Sequence, residues 1–113
     1  MLVVLTTTSS FDEADALAGK IVESRLAACV QILPQMRSVY VWEGKMQREN
    51  ECLLLIKTLP EKWDELSAFI SANHSYDVPE IIAIRANAAE PYLAWLKAQL
   101  RSGKTPEDPK SDN

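Results

Sequence analysis

His74 is the only histidine in this 113-residue chain. It sits in a polar stretch, His74-Ser75-Tyr76-Asp77-Val78-Pro79, between two apolar runs. An imidazole suits Cu(II), Zn or Ni. Asp77, Glu80 and Cys29 are its candidate companions in a metal site. One imidazole makes a weak site, since structural sites usually take four ligands. The competing reading is a ring that caps the preceding helix or bonds backbone.

A second group is Tyr40, Trp42, Glu49, Glu51, Lys57, Tyr76 and Trp95. Tyr40 and Trp42 share one parity of their run, and Glu49 and Glu51 share one parity of theirs. Gathered in a cleft between subunits, they supply aromatic walls, two carboxylates and an ammonium, a pocket for an anion or small ligand. The competing reading is interface packing around a satisfied ion pair. Cys29 and Cys52 lack CxxC spacing, which excludes a zinc-finger motif. Two-for-two pairing about Gly44 sets Cys52 opposite position 36, so no direct disulfide is expected. Cys52 reads as a core thiol. Cys29 is balanced between core and cleft.

No G-x-S-x-G, H-E-x-x-H, P-loop or G-x-G-x-x-G occurs, and the three glycines stand apart. The expectation is a protein that is not an enzyme.

Seven elements position these residues. Leu2–Thr8 is β-branched on both parities and reads as a buried strand. Ser10 and Glu13 have capping-box spacing ahead of an apolar stripe through Ala14, Leu17, Ala18, Ile21, Val22 and Leu26, a helix over 10–26. Residues 29–42 and 49–58 read as a long hairpin turning at Glu43-Gly44-Lys45, with Pro34 marking a bulge or edge. Pro60 opens a second helix ending near Asn73. Residues 80–86 form a fourth strand, and Glu90-Pro91 starts a third helix. The order β-α-β-β-α-β-α is the split βαβ arrangement, a ferredoxin-like α+β sandwich. Leu53–Ile56 and Ile81–Ile84 are apolar on both parities, so both sheet faces need cover. Three helices cannot wrap both faces of four strands, and a partner subunit is the economical cover. A helix or the tail of the same chain is the alternative.

Length fits one domain, residues 1–101. Residues 102–113 hold no apolar side chain and are expected to be a disordered tail. Twelve basic against sixteen acidic residues give a net charge of -4. Without a basic run, nucleic-acid binding is not expected. No apolar run approaches the ~18 residues of a membrane span. The N-terminus does not resemble a signal peptide, so a cytoplasmic location is expected, with both cysteines reduced.

Several stretches together resemble the CutA family, small proteins associated with divalent-cation tolerance. They are Arg25-Leu26-Ala27-Ala28-Cys29, Ser38-Val39-Tyr40-Val41-Trp42-Glu43-Gly44-Lys45, Glu49 and Glu51 with Ile56-Lys57-Thr58, 74–82 with its Val78-Pro79-Glu80-Ile81-Ile82, and Tyr92-Leu93-Ala94-Trp95-Leu96. The resemblance implies a ferredoxin-like subunit in a homotrimer, with the hairpin reaching onto a neighbour. It also implies copper or another divalent cation as the bound species. Family members that bind copper use a Cys and two adjacent His. By position these fall on Thr6, Asn73 and His74, so only His74 is retained, and Ser75 replaces the usual Pro.

Overall fold

The computed structural model describes residues 1–101; the expected tail lies outside the described residues. Four strands, β1 (Leu2–Thr8), β2 (Cys29–Trp42), β3 (Lys45–Thr58) and β4 (Ile82–Arg85), form one antiparallel sheet in the order β2-β3-β1-β4. The helices are α1 (Phe11–Glu23), α2 (Trp63–Ala72) and α3 (Glu90–Gln99), with a 3-10 turn at Pro60–Lys62. This is the element order read from the sequence.

The even positions of β1 point into the core. Leu2 and Val4 pack with Leu54, Ile56 and Cys52 of β3 against Ala14, Leu17, Ala18 and Ile21 of α1 and Leu66 and Ile70 of α2. Helix α3 makes a smaller cluster, Leu96 and Leu100 on Leu59, with Met1 and Ala28 beside them. It therefore plugs one end of the sheet. The odd positions form the other face. There Val3, Leu5, Leu53 and Leu55 are only partly buried, while Leu33, Ile82 and Ile84 are about half exposed. The two-faced pattern is thus real, but among the described residues the second face stays open.

Helix α1 is shorter than the apolar stripe. Arg25 takes a positive φ of 58°, and the Leu26 N–H bonds Ile21 O while Arg25 N–H bonds Val22 O. This Schellman closure ends the helix at Glu23 without the usual glycine. The Arg25 guanidinium then donates to Gln99 O at 2.6 Å, capping the last turn of α3. Strand β4 starts at Ile82 rather than residue 80. No helix among the described residues is long and apolar enough to cross a membrane.

The hairpin gives the molecule its length, 54 × 26 × 24 Å. Its turn is two residues, Glu43 (φ 51°) and Gly44 (φ 79°), between paired Trp42 and Lys45. Two successive positive φ values define a type I′ turn, whose twist matches the strands. Strand β3 therefore begins at Lys45, four residues before the expected start. The register also shifts once, between Leu33 and Met36. Pro34 has no N–H to give the ladder, and one extra residue on β2 is accommodated there. Cys52 faces that bulge, not position 36, and its thiol lies 3.5 Å from Pro34 O. Cys29 pairs with Lys57, and both cysteines are free.

Candidate functional site

The bulge decides which side chains meet. Below it, odd β2 residues pair with odd β3 residues, as in Leu33–Leu53. Above it, even β2 residues pair with odd β3 residues: Met36–Glu51, Ser38–Glu49, Tyr40–Gln47. Directly paired residues share a face. One inserted residue therefore turns Ser38, Tyr40 and Trp42 onto the same face as Glu49 and Glu51. The loop after α2 folds over this region. The result is an open cleft of about 690 Å³ lined by Thr7, Tyr40, Trp42, Glu49, Glu51, Tyr76, Asp77 and Glu80, with Ser38, Val39, Gln47 and Val78 between them.

Glu51 is the fixed point. It is buried, and both carboxylate oxygens accept hydroxyls: Ser38 donates to Oε1 at 2.5 Å and Tyr76 to Oε2 at 2.7 Å. Those two bonds satisfy a carboxylate that burial would otherwise penalise. Tyr40 donates to Glu49 Oε1 at 2.8 Å in a more exposed setting. Both phenols are pushed above the ordinary tyrosine value. For Tyr76 the larger cause is burial, then the bond to Glu51. For Tyr40 it is the bond to Glu49. Both therefore remain neutral donors through the physiological range.

His74 is placed behind the cleft wall, not in it. Its side chain has no exposed surface. Nε2 lies 2.7 Å from Thr7 O, and the Tyr76 N–H donates to Nδ1 at 3.1 Å. A carbonyl only accepts, so Nε2 carries the proton and Nδ1 supplies its lone pair to backbone. No lone pair remains for a metal. The ring pins the loop to β1, and its face lies 4.8 Å from Tyr76, centroid to centroid. Glu13 completes the clasp. Its Oε2 is 4.0 Å from Nδ1 and accepts the Ser75 N–H at 3.2 Å. Burial of Glu13 is opposed by the Ser75 bonds, then by His74 and Ser9, and its carboxyl is held below the ordinary range. The expected capping box is thus half made. Ser10 Oγ accepts the Glu13 N–H at 3.2 Å, but the Glu13 carboxylate turns to the 73–80 loop instead of back to Ser10.

The family positions do not assemble as a ligand set in one chain. Thr6 is fully buried, its hydroxyl without a partner, and Asn73 Nδ2 donates to Phe69 O at 2.9 Å. Among the described residues no three His, Cys, Asp or Glu side chains converge on a metal-sized site. Of His74's proposed companions, Asp77 and Glu80 line the cleft, while Cys29 lies toward the far end of β2 beside Lys57.

The aromatic and acidic group divides. Tyr40, Trp42, Glu49, Glu51 and Tyr76 share the cleft. Lys57 and Trp95 do not reach it. Six residues of strand separate Lys57 from Glu51, roughly 20 Å. Lys57 Nζ instead sits 5.7 Å from the Tyr92 ring centroid, and Tyr92 packs 5.6 Å from Trp95. The expected ammonium is therefore missing from the cleft lining, which holds four carboxylates and no Lys or Arg. Ser38 and Glu13 were missed. Ser38 was findable from its parity with Tyr40 and Trp42; Glu13 carried only a capping signal.

The structure is thus a small antiparallel α+β sandwich whose hairpin carries an acidic, aromatic-walled cleft. The family model described as CutA1 divalent ion tolerance protein matches residues 2–99, and the chain belongs to that family. It is 44% identical over 102 residues to Protein CutA, chloroplastic, of Arabidopsis thaliana, covering 89% of this chain and 56% of that protein. It is 43% identical over 96 residues to Divalent-cation tolerance protein CutA of Thermus thermophilus, covering 84% and 93%. The crystal structure of CutA1 from Oryza sativa superposes with a TM-score of 0.86 at 45% identity, covering 89% of this chain and 94% of that one. The chain thus spans little more than half the length of the plant relatives it matches, at 56% and 57%.

Proposed function

We propose that this chain is a ferredoxin-like, non-enzymatic subunit of a homotrimer that binds divalent cations, copper(II) among them, through the carboxylates of its cleft. One observation carries the cation reading: Glu49, Glu51, Asp77 and Glu80 line one cleft with no basic side chain beside them, a negative field that draws cations although no three of these carboxylates converge on one point within a single chain. Oxygen donors of this kind hold divalent ions without strong selectivity, and at equal donors copper(II) binds ahead of zinc. His74 takes no part as a ligand, because backbone groups hold both ring nitrogens. The trimer reading draws support from the open sheet face and from the exposed Val41 and Met46, paired on the hairpin outside the cleft lining. The strand order β2-β3-β1-β4 supports the ferredoxin-like reading. An anion pocket is not favoured, since Lys57 lies far from the carboxylates.

Calorimetric titration with Cu(II) and Zn(II) tests this. Glu49→Gln with Asp77→Asn should weaken binding at least about tenfold, the loss of two charged donors. His74→Gln, which keeps a donor for Thr7 O, should leave it within about twofold. Binding lost in His74→Gln and kept in the carboxylate variant overturns the assignment.

A further inference from the structure

The cleft is far larger than an ion. At about 690 Å³ it falls in the range of small-molecule sites. Three of its walls are aromatic, Tyr40, Trp42 and Tyr76, and all four charged side chains in its lining are negative. The phenol oxygens of Tyr40 and Tyr76 are spent donating to Glu49 and Glu51. What these residues leave toward the cleft is therefore ring surface backed by carboxylate charge. A phenol donating to a carboxylate also pushes electron density into its ring, which strengthens the negative face that attracts cations. Trp42, the best such ring, is half exposed at the same mouth.

We propose that this cleft binds a small organic cation, an ammonium on a carbon body, with Trp42 and Tyr40 as its walls and Glu49 and Glu51 as its counter-charges. A bare metal ion would use the carboxylates alone and leave the rings idle. An anion would meet four like charges. A neutral apolar molecule would gain nothing from the Glu51 carboxyl, which Ser38 and Tyr76 hold in place. An organic cation uses both features of the lining. This goes beyond divalent-cation binding and does not depend on it.

The test is calorimetry of the full chain with choline and putrescine, beside 3,3-dimethylbutan-1-ol, the uncharged isostere of choline. Saturable binding of one of the two cations is expected, with the isostere at least tenfold weaker. Trp42→Leu should weaken it at least about fivefold, the scale of a cation–π contact. Tyr40→Phe keeps the ring but loses the bond to Glu49, and should weaken it less than Trp42→Leu does. Zn(II) affinity, measured in parallel, should be unmoved by Trp42→Leu, which separates the two readings. Trp42 is half exposed, and thermal unfolding of each variant confirms the fold. If neither cation binds, if the isostere binds as well, or if Trp42→Leu changes nothing, the proposal is overturned, whatever zinc does.

Discussion

Tyr76 and Glu51 stand 25 residues apart in sequence and are joined by a 2.7 Å hydrogen bond between the 73–80 loop and β3. That bond makes the cleft a preformed feature. Tyr76→Phe removes the donor and leaves a buried carboxylate oxygen without its partner. The expected cost is about 1–3 kcal/mol, read by denaturant unfolding. The pH dependence has a definite sign. A phenol raised above its ordinary 10.0 stabilises the native state fully below pH 10 and loses that stabilisation as pH rises beyond it. Wild type should weaken on the alkaline side more steeply than Tyr76→Phe; parallel alkaline limbs would disprove the coupling.

Glu13 acts at the opposite end of the pH scale. Its carboxyl is held below its ordinary 4.5, so its stabilisation is present above that pH and lost as pH falls through the lower native value. Glu13→Gln should lower stability at neutral pH and flatten the acid limb below about 4.5. Chemical denaturation at a series of pH values reads both effects. An acid limb unchanged by the substitution would show that Glu13 does not clasp the loop through its charge.

His74 is a structural pin in this geometry. His74→Ala deletes a buried ring and two hydrogen bonds, and should cost about 2–4 kcal/mol. His74→Gln should recover part of that by keeping the bond to Thr7 O. An exposed ligand would give neither loss nor rescue, so unfolding curves of the two variants discriminate.

The sequence carries its elements in the periods of its apolar residues. Leu53–Ile56 announces a strand apolar on both faces, and Glu43-Gly44 announces its turn. The cleft was half legible. Parity pairs Tyr40 with Trp42 and Glu49 with Glu51, but only the bulge at Pro34 puts both pairs on one face. Local spacing does not reveal which way a bulge will throw the register. Lys57 was grouped with the carboxylates by side-chain type, and within one chain strand rise places it roughly 20 Å from Glu51. His74 was undecidable locally because its Nε2 partner, Thr7 O, is 67 residues distant. A lone histidine in a polar loop looks the same whether its nitrogens face a metal or backbone.

Leu54 and Leu55 separate folding from assembly. Leu54 is fully buried on the helix-covered face, while Leu55 is half-buried on the open one. Leu54→Asp places an unpaired charge in the core, a cost of several kcal/mol, and should abolish cooperative unfolding. Leu55→Asp should leave helix and sheet content intact but dissociate the proposed trimer. Circular dichroism and sedimentation of both variants read this. A Leu55→Asp protein with unchanged mass would show that the open face is not the subunit contact.

The bulge offers a direct test of how the cleft is assembled. The type I′ turn at Glu43-Gly44 pins Trp42 to Lys45, and the core pins Val30 to Ile56. These two registers differ by one residue, and the extra residue between Leu33 and Met36 absorbs the difference. Deleting Gln35 removes that residue, so the two registers agree and Pro34 falls opposite Cys52 in a continuous ladder. Ser38, Tyr40 and Trp42 keep their partners on β3, and therefore stay on the face of Glu49 and Glu51. The expected result is a folded protein with a near-native far-ultraviolet spectrum, and with cation binding and Trp42 fluorescence little changed. Binding lost in a folded deletion variant would mean that the distortion at the bulge, and not the shared face, assembles the site.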